Sequence, residues 1–575
     1  MKTELSRLPF SRAGSYMAVS ELGEDFRGMS NVLGLYLRTV HGSALKPLAA
    51  RIIPTAGGRE TAYECRMERT SLYLNTDGGT LELCFDDENT LLVRGKGKEI
   101  GLILDFLADQ GPFDYIYTIP CGGRDYYMAN CYKNNCRYLI SLLAGKAELE
   151  QEWKESSALY SRLYFSGNDG FLFALKEIET EWDRVPAKYD FEECRKRTED
   201  EFLEFARRMP SCPEQYREAA ERAAYLNWSG IVKKDGFLKR DAMFMSKNWM
   251  CNVWSWDHCF NAIALSYHNP ELAWDQFMIM FDHQDVTGLI PDSVNDVHIV
   301  WNYCKPPIHE WALRRMMEHM ELSKEQMQEA YQCLGKWTDW WLVYRDYNGD
   351  GLCEYNHGND SGWDNSTAFS ALPPVTTPEL QAFLVIQMEV LAELADRLGI
   401  DFGREAWSRK SAELYAHFLE KCFVDGLPVI RRSVSGEVIE NNSLLPYVSI
   451  VLGRRLPEEI RKKMTEILIG DRFYTDYGFA TESPGSTEYR ADGYWRGPIW
   501  APSTMLVLDG LYQCGEEEFV REAARRFADM AVCSGFAENF DALTGEGLRD
   551  RAYTWTSSVF LILVHEYLTE KGEGR

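Results

Sequence analysis

The chain has no apolar run approaching the roughly 18 residues that a membrane helix needs. Its opening, MetLysThrGluLeuSerArgLeuProPhe, carries no apolar stretch of the kind a secretory leader contains. Export and membrane spanning are therefore not expected. The 15 cysteines are odd in number and scattered, with no CxxC pair. Cys131 and Cys136 are close, but nothing nearby in the sequence completes a zinc set. Reduced thiols in a cytoplasmic setting are the expectation, and the sequons at Asn227, Asn365 and Asn441 then carry no glycosylation signal. No GxGxxG or GxxxxGK stretch points to a nucleotide. Positive charge is also short, 62 Lys and Arg against 88 Asp and Glu, leaving -26 spread along the chain. Such a surface disfavours nucleic acid and anionic membranes and suits a neutral or small-molecule substrate.

What is abundant is aromatic surface, with 17 Trp and 30 Tyr among 575 residues, enough for more than one hydrophobic core. Residues 1–186 read as strands. ThrSerLeuTyrLeuAsnThr (70–76), GlyThrLeuGluLeuCysPhe (79–85), AsnThrLeuLeuValArgGly (89–95) and GlyLeuIleLeuAspPhe (101–106) alternate partially between turn residues. A β-sandwich is the economical reading. Residues 187–212 are charged with apolar residues at helical spacing, and predict a helical linker. From 213 to 575 the periodicity is helical, with twelve candidates running from 214–228 to 553–570. ProGluLeu at 378–380 and ProGluGluIle at 457–460 open helices with Pro early and acids in the first turn. Twelve helices pair as six hairpins and fit an (α/α)6 barrel.

The chemistry-bearing residues fall between those helices. GlyAsnAspSerGlyTrpAspAsnSer (358–366) packs two acids, an indole, two glycines and small hydrogen-bonding residues into nine positions. A polar turn with one packed indole is the ordinary account of such a stretch by itself. Four more clusters weaken that account: AsnValTrpSerTrpAspHisCysPhe (252–260); 288–296, with Asp292, followed by TrpAsnTyrCysLysProProIle (301–308); 481–502, with Glu482, Tyr494, Trp495, Arg496 and Trp500; and PheAlaGluAsnPheAspAlaLeuThrGlyGluGly (536–547). Aromatic faces for the apolar side of a ring, with acids and amides for its hydroxyls, are what sugar recognition needs. Acetal hydrolysis adds a proton donor on one side of the bond and a base on the other. Chemistry alone leaves Asp257, Asp360, Asp364, Glu482 and Glu538 open for those two tasks.

From about 250 to 560 these motifs resemble the glycoside hydrolases that include bacterial members of family 63 with mannosylglycerate and glucosylglycerate hydrolases; family 37 trehalases are more distant. The resemblance rests on TrpSerTrpAspHisCysPhe, GlyLeuIleProAsp, LysProProIle, SerGlyTrpAspAsnSer, TyrTrpArgGlyProIleTrp and GluAsnPheAsp, in that order. It implies an (α/α)6 barrel preceded by a β-sandwich, inversion at the anomeric centre, Asp364 as general acid and Glu538 as general base. Trp254, Trp256, Asp257, Asp292, Trp301, Lys305, His357, Asp360, Trp363, Asn365, Glu482, Tyr494, Trp495, Arg496 and Trp500 are the candidates for binding the substrate. Lys305 or Arg496 would partner a glycerate carboxylate. Two departures stand out. The late motif carries Phe540 where the family often has tyrosine, and no trehalase-type Pro-Arg-Pro-Gly-Gly run is present.

The implied activity is an exo-acting, inverting α-glucosidase on short α-linked glucosides or glycosyl-glycerates. An α-mannosidase or mannosylglycerate hydrolase, a trehalase-like enzyme, a sugar phosphorylase and a non-hydrolytic sugar-binding protein are the alternatives. No cofactor is required. Asp346, Asn348, Asp350 and Gly351 match the first half of a calcium loop, but His357 stands where its bidentate Glu belongs. A tight turn is the competing reading, and a structural calcium ion the other.

Overall fold

The computed structural model describes residues 5–569 apart from 24, 27–28, 31, 44–47, 107–112, 123, 181, 183–187 and 371–372. The expected junction at 186/187 lies outside the described residues. Two antiparallel sheets come first. One orders strands Met17–Leu22, Gly34–Thr39, Leu48–Ala56, Ile100–Asp105, Ser157–Ser166 and Lys146–Lys154, with Arg59–Glu60 added to Leu48–Ala56. The other runs Tyr115–Cys121, Arg124–Cys131, Cys136–Ala144, Phe171–Ile178, Thr90–Lys96, Gly79–Asp87, Ser71–Thr76 and Glu64–Glu68. Their alternating apolar residues, Leu37, Ile52, Leu102 and Leu104 from one sheet and Leu81, Leu83, Leu91, Val93 and Phe173 from the other, share one core.

Helix α1 (Phe191–Arg207) starts where the Asp190 carboxylate accepts the N–H groups of Glu192 and Glu193. Its apolar stripe of Phe191, Cys194, Phe202 and Phe205 is buried, and it packs on strand Gly79–Asp87. Eleven further α-helices follow among the described residues: α2 (Arg217–Gly230), α3 (Asp257–Ser266), α4 (Pro270–Met278), α5 (His309–Met317), α6 (Lys324–Tyr344), α7 (Pro378–Leu398), α8 (Asp401–Lys421), α9 (Glu458–Ile469), α10 (Ala501–Cys514), α11 (Glu517–Ser534) and α12 (Thr554–Leu563). The helix expected near 441–452 is a 3-10 segment, Leu445–Arg455, broken at Gly453 where φ is 55°. Every residue of α3 and of α12 is buried, whereas α11 buries only Val520, Ala523, Ala524, Phe527, Ala528, Met530 and Ala531, one face of its cylinder.

That contrast follows from position. α3 touches α5, α5 touches α7, α7 touches Leu445–Arg455, that segment touches α10, α10 touches α12, and α12 returns to α3. α2, α4, α6, α8, α9 and α11 each pack against members of this cycle. No described helix is long and apolar enough to cross a membrane.

Candidate active site

The connections entering α3, α5, α7, α10 and α12 carry the acid–aromatic clusters, so the clusters meet at one end of the helices. The 358–366 loop shows how. It coils so tightly that a side-chain carbon at Gly358 would lie 2.3 Å from the Asp364 carbonyl. At Gly362, φ is 74° and such a carbon would lie 2.6 Å from the Trp256 indole. Only glycine allows both. Asp360 anchors the loop from below: its oxygens accept Arg345 Nη1 at 2.8 Å, Asn356 N at 3.0 Å and Cys304 N at 3.2 Å. Asn365 pins it sideways, donating to Gly493 O at 3.0 Å and accepting Trp495 N at 3.0 Å.

Between those two hydrogen bonds stands Tyr494, at φ 63°. Its carbonyl accepts Trp500 Nε1 at 3.0 Å, and the Arg549 guanidinium lies 4.9 Å from its ring centre. Its hydroxyl lies beside the carboxyls of both Asp364 and Glu538 and favours the ionised form of each. Glu538 is buried, and its N–H donates to Asp550 O at 2.7 Å.

Five acids and one ammonium set the electrostatics. Burial raises Asp364 above the ordinary carboxyl value; Lys305 opposes this, Asp292 adds to it, and His357 and the Tyr494 hydroxyl oppose it. Burial and the neighbouring Asp550 push Glu538 up to about 8, against Arg549 and Tyr494. Asp257, the first residue of α3, is raised by burial and by Asp292 and Asp364, against Lys305 and its own N–H. Burial acts to lower Lys305, but Asp292, Asp364 and Asp257 outweigh it and hold the ammonium above its usual value. Lys305 Nζ lies 3.0 Å from Asp292 Oδ1 and donates to Asn359 O at 2.8 Å and to Asn359 Oδ1.

Residues 250–556 match the model of the mannosylglycerate hydrolase MGH1-like glycoside hydrolase domain. The chain belongs to this family. It is a glycosidase, related to family 63. The glucosylglycerate hydrolase of Mycolicibacterium hassiacum is 23% identical over 410 residues, covering 54% of this chain and 91% of that protein. The mannosylglycerate hydrolase of Rubrobacter radiotolerans is 25% identical over 413 residues, covering 54% and 90%. Among solved structures, the family 63 mannosylglycerate hydrolase of Thermus thermophilus bound to glucose overlaps 59% of this chain and 98% of its own, with TM-score 0.52 and 18% identity. A bacterial glucoamylase bound to acarbose overlaps 99% of this chain and 94% of its own, with TM-score 0.66 and 11% identity. The glucoamylase likeness thus takes in the sheets that precede the family match.

In this glycosidase the remaining sequence candidates divide by exposure. Trp256, Trp363, Trp495 and Trp500 are 1–2% exposed. Trp363 stacks on Trp495 at 4.7 Å, Trp495 on Trp500 at 4.0 Å, and Trp256 lies 6.2 Å from Trp495. They back the site as a packed indole layer and offer no open face. Trp254 is half-buried and Trp301 is 40% exposed, so these two present indole surface. Asp360 has both oxygens occupied. Glu482, fully buried, accepts Thr367 Oγ1 at 2.6 Å and Ser486 Oγ at 2.6 Å, a bracing arrangement. His357 is exposed, with its ring 5.2 Å from that of Tyr303. Arg496 lies 3.5 Å from the exposed Glu488, and its buried Nε has no hydrogen-bond partner among the described residues. Phe540 is fully buried with its ring 6.1 Å from that of Phe527, so the missing tyrosine hydroxyl changes core and not wall.

The half calcium loop is a turn closed on itself: Asp346 accepts the N–H groups of Asp350 and Gly351 at 3.1 Å, and Lys421 Nζ lies 3.5 Å from Asp350 Oδ2. Arg549, Asp550 and Tyr553 were not among the sequence candidates. Burial raises the Tyr553 hydroxyl well above its usual value, and the charges of Glu538 and Asp257 add to this. Their signal was the same mixture of acid, arginine and aromatic in 549–555, directly before α12.

Proposed function

We propose that this glycosidase hydrolyses short α-linked glucosides or glycosyl-glycerates from their ends, with inversion, between Asp364 and Glu538. The observation that carries this reading is the single Tyr494 hydroxyl beside both carboxyls from separate connections. Inverting sites hold their carboxyls roughly 6.5–9.5 Å apart, with a water between one of them and the sugar. Asp364 donates the proton to the glycosidic oxygen and Glu538 takes one from water. Asp257 and Asp292, with Lys305 between them, hold sugar hydroxyls. A second reading exchanges the two roles. It is favoured by Lys305, whose ammonium stabilises ionised Asp364, while burial and Asp550 push Glu538 up to about 8.

The architecture we infer is a β-sandwich over 1–186, a helical linker over 187–212 and an (α/α)6 barrel over 213–575. The closed cycle of α3, α5, α7, Leu445–Arg455, α10 and α12 supports an inner ring of six, with α2, α4, α6, α8, α9 and α11 outside. The absence of disulfides among the described residues fits a reducing, cytoplasmic setting. For a glycerate carboxylate, Arg496 is the better partner than Lys305, because Lys305 is already held by Asp292 and Asn359. The relatives named for glucosylglycerate and mannosylglycerate make these two compounds the first to assay. Hydrolysis of either, with the opposite anomer appearing first in proton NMR, is the expected result. Retention of the anomeric configuration would overturn the inverting assignment, and inactivity on all α-glycosides would overturn the substrate class.

A further inference from the structure

The sequence leaves Cys131 and Cys136 without companions for a metal, but the fold brings companions from far along the chain. Cys136 opens a strand of the second sheet, and Glu177 lies near the end of the adjacent strand Phe171–Ile178. His41 sits just past strand Gly34–Thr39 of the first sheet. A ring nitrogen of His41, the Cys136 sulfur and a Glu177 oxygen all lie within 4.8 Å of one another. A tetrahedral zinc holds thiolate, imidazole and carboxylate donors about 3.5 Å apart, so closing onto a metal needs only small side-chain rotations.

Four further observations point to a ligand there. His41 Nδ1 lies 2.7 Å from Asp296 Oδ2, and His41 Nε2 faces Glu177 Oε1 at 3.4 Å. A histidine that ligates a metal characteristically gives its other ring N–H to a carboxylate. The Tyr16 ring is stacked on the imidazole at 3.9 Å and 6°, which fixes its plane. Glu177 is 10% exposed, yet its buried Oε1 accepts no hydrogen bond from the described residues. Finally, these groups line a cavity of about 940 Å³ between the sheets and the 292–300 hairpin, which leaves room for a fourth ligand.

We propose that His41 Nε2, Cys136 Sγ and Glu177 form a zinc site, with Asp296 orienting the histidine and the fourth position open to water in the cavity. Binding displaces the thiol proton, since a coordinated cysteine is a thiolate. The site would join both sheets to the hairpin whose other end carries Asp292 and hence reaches Lys305. Zinc is favoured over calcium or magnesium because those ions take oxygen donors and not thiolate.

The test uses tag-free full-length protein equilibrated with zinc chloride and dialysed against metal-free buffer. About one zinc per chain is expected in the wild type, and less than a tenth of that in Cys136→Ser and Glu177→Gln. Asp296→Asn keeps the three ligands and is expected to weaken binding about 10–100-fold. Cobalt(II) should give a thiolate-to-metal charge-transfer band in the near-ultraviolet that Cys136→Ser lacks. Zinc should also protect Cys136 from alkylation, read by peptide mass in the wild type, which needs no variant to fold. A wild type without zinc, a cobalt spectrum without the thiolate band, or Cys136→Ser binding as much metal as the wild type would each overturn the site. The cluster would then be an imidazolium shared between Asp296 and Glu177.

Discussion

Replacing Tyr494 with phenylalanine removes one oxygen and leaves the φ of 63° available to the same backbone. That oxygen lies beside both Asp364 and Glu538, and it favours the ionised form of each. A hydrogen bond to a charged group contributes about 1.5–3 kcal/mol, and one pKa unit corresponds to about 1.4 kcal/mol. A hydroxyl has one proton to give, so the loss is shared between the two carboxyls and each should rise by about one unit at most. The group that must be ionised sets the acid limb of the kcat/KM profile, and the group that must be protonated sets the alkaline limb. Both limbs therefore move to higher pH, by about half to one unit, whichever carboxyl has which role. A fall in kcat of roughly 10–100-fold at the wild-type optimum accompanies the shift. The assay is hydrolysis of an α-glycoside across the pH range, with circular dichroism to check the fold. An unmoved profile, or one displaced to lower pH, would refute the placement of the hydroxyl between the carboxyls.

Two other variants probe the loop and the electrostatics. Gly362→Ala forces a residue with Cβ into φ 74° and sets that carbon 2.6 Å from the Trp256 indole. A loss of roughly 2–5 kcal/mol of stability and most of the activity is expected in urea unfolding and rate assays, and wild-type behaviour would contradict the tight coil. Glu538→Gln tests burial. The folded-state value of about 8 lies above the ordinary 4.5, so the folded protein holds that proton more tightly than the unfolded chain. Wild-type stability contributed by this proton is present at low pH and is lost as pH rises through 8, a loss the glutamine variant escapes. Its unfolding midpoint should gain on the wild type between about pH 5 and pH 8 and stay level above that. A constant difference across that window would show that Glu538 ionises as freely as in the unfolded chain.

The helices were legible because their signals are local. Pro378 and Glu379 begin α7, and the apolar stripe of α11 is written in its own 18 residues. Local patterning also placed the acids in connections, and the backbone topology then gathers those connections at one end. What stayed hidden depends on which way a side chain faces. An indole in a loop reads the same whether it stacks on sugar or on another indole, so the sequence does not tell that Trp363, Trp495 and Trp500 form a buried layer. Lys305 likewise read as a possible partner for a glycerate carboxylate, and only the fold sets it among Asp257, Asp292 and Asp364. Arg345 on Asp360, and His41 beside Cys136 and Glu177, are pairings between distant segments that no spacing announces. Tyr494 was named from its motif, but its position between two carboxyls required Asn365 and the strained turn it fixes.

The central claim is that Asp364 and Glu538 act as an opposed acid and base, and glycosyl fluorides separate the two tasks because fluoride departs without being protonated. The variants D364A and E538A are measured on an O-linked α-glycoside and on the matching α-glycosyl fluoride. Both should lose about 10²–10⁴-fold on the O-glycoside, with only D364A recovering on the fluoride; recovery of E538A instead would exchange the roles. Wild-type hydrolysis of the O-glycoside by either variant would contradict the account.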